Sequence, residues 1–424
     1  MNGRRRQRAE ILLAGVVAGL AAWWVQRRGL VLGPDAWTYW TSSIALLEGR
    51  GFVDGHGLPV TAWPIGYPAW LTLVQACCGV SADAVRIADS LSIGLLAALA
   101  TLWGQQRLAG GTAPSWPVAV AAVVQAAAAA RGCASEYLML VGWFGALCCL
   151  GGGQRLDAWR GIGAVLGLTV AVSARHAALA FVPAAWCLVA ARLGDRKRAA
   201  LVSALGALVI GCWWLGHRLA LGQQGSLVWF AGRYGLPDIV WTMLRGIDRG
   251  LGVFPFGLGW FAVITSAVTW ARRPAARWLG LPAERLRHGP VVAATLVALV
   301  GLVVMFLVVP IADPPRQRFV RFASMMAMLL GSVLLVQSRG PRRALLLVLL
   351  LVPPALPLLR DVLKGRTGLN TTTADGGESF VPLDAVPGPA GSAELRLPDG
   401  RLRVPTPRFR WQVAAPPPTA SQPR

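Results

Sequence analysis

Residues 33–52 read GPDAWTYWTSSIALLEGRGF, and residues 61–71 read TAWPIGYPAWL. The first stretch follows an apolar run near residues 10–26 and opens with a single carboxylate, Asp35. Trp37, Trp40, Ile44 and Leu47 recur at steps of three, four and three, which predicts a helix with one apolar face. Thr38, Thr41, Ser42 and Glu48 fall on the remaining faces. A Trp-rich amphipathic helix just outside a span is expected to lie in the membrane interface plane. Asp35 stands at its start, where a carboxylate caps a helix well. Pro59, Pro64 and Pro68 then keep the chain extended, and 68–80 reads as a second interfacial segment too short to span.

The rest of the chain gives that stretch its setting. Of 424 residues, 55% are hydrophobic and 14% charged, a composition foreign to soluble domains. Runs of about 20 apolar residues suit transmembrane helices. They occur near 10–26, 85–104, 115–131, 136–153, 161–174, 177–192, 199–220, 251–271, 290–309, 319–336 and 342–359. The prediction is an all-α polytopic membrane protein with about eleven transmembrane helices. The net charge of +22 does not indicate nucleic acid, because the basic residues fall in short clusters between apolar runs. Arg4–Arg6, Arg196–Arg198, Arg272–Arg273 and Arg342–Arg343 mark the cytoplasmic loops by the positive-inside rule. The N-terminus is then cytoplasmic, on an uncleaved first span. Residues 27–84, 132–135, the 175–176 junction, 221–250, 310–318 and the tail from 360 are expected to face outside. Seven cysteines lie in or beside apolar runs, in neither a disulfide nor a metal spacing.

Residues 1–359 are therefore expected to form one transmembrane domain, with 27–84 as its first extracytoplasmic loop. The polar tail, 360–424, carries a hairpin signal at Asp399-Gly400 and ends in the disordered-type sequence APPPTASQPR.

These features together resemble the GT-C superfamily of integral-membrane glycosyltransferases, among them the protein O-mannosyltransferases and lipid A aminoarabinose transferases. The resemblance rests on Asp35 after the first span, the helix ending in LLEGRGF, and TAWPIGYPAWL. Three further pieces are similar: CASEYLMLVGWFGAL from Cys133, VSARHAALAFVPA at 172–184 and DPPRQRFVRFASMMAML at 313–329. The sequence departs from the family in having Ala36 where a second acid often stands, Ile65 within WPIGYP, and His176 after the junction arginine.

The resemblance implies transfer of a sugar from a polyprenyl-phosphate donor to a glycan, lipid or protein acceptor outside a bacterial inner or plasma membrane. Asp35 is then a general base rather than only a cap. Glu136 assists it, by binding the acceptor or a divalent metal ion, unless it serves only the helix dipole. No other cofactor is implied. Arg175 is expected to meet a lipid phosphate, since its guanidinium fork fits phosphate oxygens; the alternative is an interfacial snorkelling arginine. Arg316 and Arg318 join it on the phosphate or are plain interface charges. Trp63 and Tyr67 shape a sugar site or anchor the loop. His56 and His176 touch substrate, or are an exposed and a packed histidine. A non-catalytic transporter or lipid-binding scaffold on a similar helix bundle is the competing class.

Overall fold

The computed structural model describes residues 3–193 apart from 33, 56, 58, 61–62, 109–114, 128–133 and 152–156. It also describes scattered helical positions at 211 and between 294 and 336, helix 342–364, and short pieces between 379 and 403. The expected spans between 199 and 336 lie wholly or largely outside these residues, as do His56, Arg316 and Arg318.

The protein is mostly helical. In chain order the helices that can be bounded among the described residues are α1 (Gly3–Val25), α2 (Pro34–Leu47), α3 (Gly66–Cys78), α4 (Ala82–Arg107), α5 (Trp116–Ala127), α6 (Ser135–Gly151), α7 (Ala158–Ala174), α8 (Phe181–Leu193) and α9 (Arg342–Lys364). A 3₁₀ turn, His176–Ala180, precedes α8. Among the described residues, Arg5–Val25 and Ala82–Arg107 are long and apolar enough to cross a membrane. Leu12, Leu13, Val16 and Leu20 on α1 and Leu345, Leu356 and Leu359 on α9 stand exposed. Rows of this kind would be buried in a soluble protein and suit contact with hydrocarbon.

Small residues set the helix spacing. A Cβ on Gly167 of α7 would lie 2.7 Å from the Gly142 carbonyl oxygen of α6, and one on Gly142 would collide with Gly167 in turn. Only glycine at both positions lets the two backbones touch, as in close-packed membrane helices. Gly66 acts likewise: a Cβ there would be 2.5 Å from the carbonyl oxygen of Ser173, so α3 begins hard against the end of α7.

The expected second interfacial segment appears as α3, and α2 begins one residue earlier than the capping reading has it. Pro34 opens α2, so Asp35 lies inside the first turn. There it still favours the helix dipole, but it is not the N-cap. The tryptophan face also differs from expectation. Trp37 and Trp40 are buried within the protein, their rings stacked 5.8 Å apart, in a cluster with Leu30, Leu71, Val85 and Ala88. The tryptophan half of the face assigned to the membrane is covered by α3, the start of α4 and Leu383 of the tail, whereas Ile44 is half-buried and Leu47 exposed. Ser42 and Ser43, also buried, return their hydroxyls to the Thr38 and Trp40 carbonyls and so remain satisfied.

Five short strands accompany the helices among the described residues. Immediately before α2, β1 (Leu30–Leu32) pairs antiparallel with β2 (Ser379–Val381) of the tail, Leu30 opposite Val381. Arg27 reinforces this junction by donating to the carbonyls of Val362 and Leu363 at 2.9 and 2.8 Å. Further on, β3 (Val386–Pro387), β4 (Leu395–Arg396) and β5 (Leu402–Arg403) form a small antiparallel sheet. The last two flank the Asp399-Gly400 turn read from the sequence. The tail is thereby tied to the same end of the bundle as Asp35.

Candidate active site

Three separate stretches meet at that end. On α2, Asp35 and Tyr39 are four residues apart and share a face. Helix α6 opens with Ser135 and Glu136 in its first turn, where a carboxylate suits the dipole. Helix α7 stops at Ala174 because Arg175 takes an extended conformation (φ −157°, ψ 132°), which turns its side chain out of the helical row. Arg175 Nη1 then lies 2.9 Å from Glu136 Oε1. The same nitrogen donates to Ser135 Oγ at 3.0 Å, and Ser135 Oγ in turn donates to the Tyr39 hydroxyl at 3.2 Å.

The burial of this group matters more than its inventory. The Arg175 and Glu136 side chains are 9% and 7% exposed. Two charges so far from water repay their desolvation only through close geometry and further hydrogen bonds, which Ser135 supplies for the arginine. The anion that Arg175 meets in the structure is thus a carboxylate of the protein. Tyr39 feels all three charged residues. Burial pushes its hydroxyl above the usual phenol range; Arg175 pulls it down, and Asp35 and Glu136 push it up again. Tyr39 is therefore a neutral hydroxyl at physiological pH, set between Asp35 and the ion pair. Asp35 itself is half-buried and keeps an open side.

Aromatic rings hold Tyr39 in place. Trp63 and Tyr67 both meet it edge to face, at 6.1 and 5.3 Å between centroids. Trp63 is half-buried, whereas Tyr67 is fully buried. The Tyr67 hydroxyl donates to Asp89 Oδ1 at 2.5 Å. His176 is half-buried and opens the 3₁₀ turn directly after Arg175.

Of the residues singled out from sequence, Asp35, Glu136, Arg175, Trp63 and Tyr67 gather here, with His176 adjoining. Sequence reasoning passed over Tyr39, Ser135 and Asp89. Asp89 had a signal: it is a carboxylate inside the apolar run 85–104, and an ionisable residue in a span is functional by default. Tyr39 had none, because the tryptophan spacing drew the helix face elsewhere. Among the described residues no group of three His, Cys, Asp or Glu side chains stands together as metal ligands. Glu136 is already held by Arg175, so among the described residues the donor set here does not fit a divalent ion.

No protein-family model matches the chain, and no curated protein matches it. The fold does find a counterpart. ArnT from Cupriavidus metallidurans, whose crystal structure was determined bound to undecaprenyl phosphate, superposes with a TM-score of 0.55 at 18% identity. The match covers 78% of this chain. The chain shares the fold of that ArnT structure. It spans 61% of the length of that ArnT chain, so the two share an architecture rather than a full sequence. Within that shared fold, the cluster around Tyr39 is formed by the first loop, the start of α6 and the end of α7.

Proposed function

We propose that this GT-C chain transfers a sugar from a polyprenyl-phosphate donor to an acceptor hydroxyl or amine at the extracytoplasmic face of the membrane. The observation that carries the reading is the convergence of Asp35, Glu136 and Arg175, chosen from three separate stretches, around one buried tyrosine. The ArnT likeness supports it, because that protein was crystallised with undecaprenyl phosphate.

In this reading the half-buried Asp35 carboxylate accepts the acceptor's proton as its oxygen or nitrogen attacks the anomeric carbon. Direct displacement inverts that carbon, and the polyprenyl phosphate departs with the bonding electron pair. Arg175 offsets charge developing on the leaving phosphate, while Glu136 and Tyr39 hold the guanidinium group's surroundings in one geometry. Arg316 and Arg318 are proposed for the same phosphate. Half-buried Trp63 shapes the sugar site, with His176 at the margin, and His56 belongs to the same loop.

The test compares Asp35→Asn with Asp35→Ala in proteoliposomes, following release of undecaprenyl phosphate from lipid-linked sugars. Losing the base is expected to lower transfer by ~10²–10⁴-fold in both variants. Because Asp35 favours the dipole rather than capping, stability should fall by only about 0.3–1 kcal/mol. Full transfer by Asp35→Asn would remove Asp35 from the chemistry.

A further inference from the structure

Asp89 is a fully buried carboxylate on α4 that the proposed chemistry leaves unused, and its position is costly. It is 0% exposed, within a helix apolar enough to cross a membrane. A carboxylate in such surroundings must be matched by strong donors. The Tyr67 hydroxyl is one of them, at 2.5 Å, the short range of hydrogen bonds to an ionised oxygen. Tyr67 cannot simply swing to find another partner. It is the second residue of α3, whose first residue, Gly66, is pressed against the Ser173 carbonyl two positions before Arg175. Its ring edge meets Tyr39 at 5.3 Å and 78°. Tyr39 in turn receives the Ser135 hydrogen bond, and Ser135 receives that of Arg175.

We propose that Asp89 is a positioning residue of the site. By holding the Tyr67 hydroxyl it fixes the ring against which Tyr39 rests, and so sets Asp35 relative to the Glu136–Arg175 pair. Asp89 touches no substrate; it acts through Tyr67. This inference rests on the functional reading above only where ligand binding is concerned. The carboxylate also ties the first loop to α4, so the loop's geometry is set from inside the bundle as well as from its neighbours on the surface.

The experiment uses the full chain in detergent, with undecaprenyl phosphate as the probe and 3-fluorotyrosine as a label, the signal of Tyr39 being assigned through Tyr39→Phe. Asp89→Leu removes the acceptor, Asp89→Asn keeps a carbonyl oxygen for Tyr67, and Tyr67→Phe removes only the donor. Asp89→Leu and Tyr67→Phe should each weaken probe binding by about tenfold, the scale of one hydrogen bond to a charged group. Their combination should be no weaker than either alone, and Asp89→Asn should stay near the parent. The Tyr39 fluorine signal should move in Asp89→Leu and Tyr67→Phe and return in Asp89→Asn. A purely structural Asp89 would instead give additive losses with no rescue, and that result overturns the proposal. So does an unmoved Tyr39 signal. If Asp89→Leu does not fold, Tyr67→Phe, which loses a single oxygen, decides alone. If the parent protein fails to bind the probe, the donor assignment falls, and the fluorine signal still judges Asp89.

Discussion

The two ends of the helix bundle hold the same residue types in different constructions. At one end Glu136 meets Arg175 and Ser135; at the other Glu10 meets Arg6, Ser115 and Gln105. In the first group the arginine and the acid come from different helices, and both are more than nine-tenths buried. In the second, Arg6 lies four residues before Glu10 on the same helix and is 61% exposed. A pair built along one helix forms wherever that helix forms, and water screens it. A pair built between helices exists only once α6 and α7 have docked, and it stands in a low dielectric. The arginine is therefore a surface partner at one end, where Gln105 and Ser115 also satisfy the acid, and a constraint on geometry at the other.

The comparison breaks first, if it breaks, at Arg175. Arg175→Ala leaves the Glu136 carboxylate buried without this guanidinium, and such removals cost roughly 3–5 kcal/mol. Thermal unfolding in detergent should show the loss. A variant as stable as the parent would mean that water reaches this pair as it reaches Arg6.

Tyr39→Phe sharpens the contrast by removing the hydroxyl that joins Ser135 to α2. A loss of roughly 1–3 kcal/mol at neutral pH is expected. It should be accompanied by a change at alkaline pH, and the sign follows from the raised folded-state pKa of Tyr39. Both states are protonated below the unfolded phenol value of about 10, so the contribution is complete there. It is lost as the pH climbs above that value, because only the unfolded chain ionises readily. Unfolding curves of Tyr39→Phe should show a shallower alkaline decline than those of the parent. Identical slopes would remove Tyr39 from the buried group.

The smallest effect belongs to the other end. Arg6→Ala should cost only about 0.2–0.5 kcal/mol, the usual worth of an i,i+4 pair, and the difference should fade in high salt. A larger, salt-independent loss would make the two ends alike.

Much of the site was legible because charge is expensive beside lipid. Asp35, Glu136 and Arg175 stand out as isolated charges at the edges of apolar runs, and the structure places them at one end. Glycines in the α6 and α7 runs were visible too, but not that Gly142 faces Gly167, which needs both helices in position. The tryptophans of α2 misled for a related reason. Their spacing marks an apolar face, yet spacing does not say whether lipid or protein covers it, and here α3 and α4 do. The β1–β2 pairing left no trace, since three-residue strands carry no period and their partners are distant in the chain.

By itself the sequence determined what local chemistry controls: helices from apolar runs, their ends at charges, prolines and glycines, and the membrane as the medium. It also determined that a helix begins at Asp35, to within a residue, just beyond the first span. Only the tertiary structure decided partners. Arg175 meets Glu136, Tyr67 meets Asp89, and the tail strand lies against the segment leading to Asp35. Each of these joins residues far apart in the chain. A buried charge constrains the fold by requiring some partner, but which partner it finds depends on how closely the helices pack.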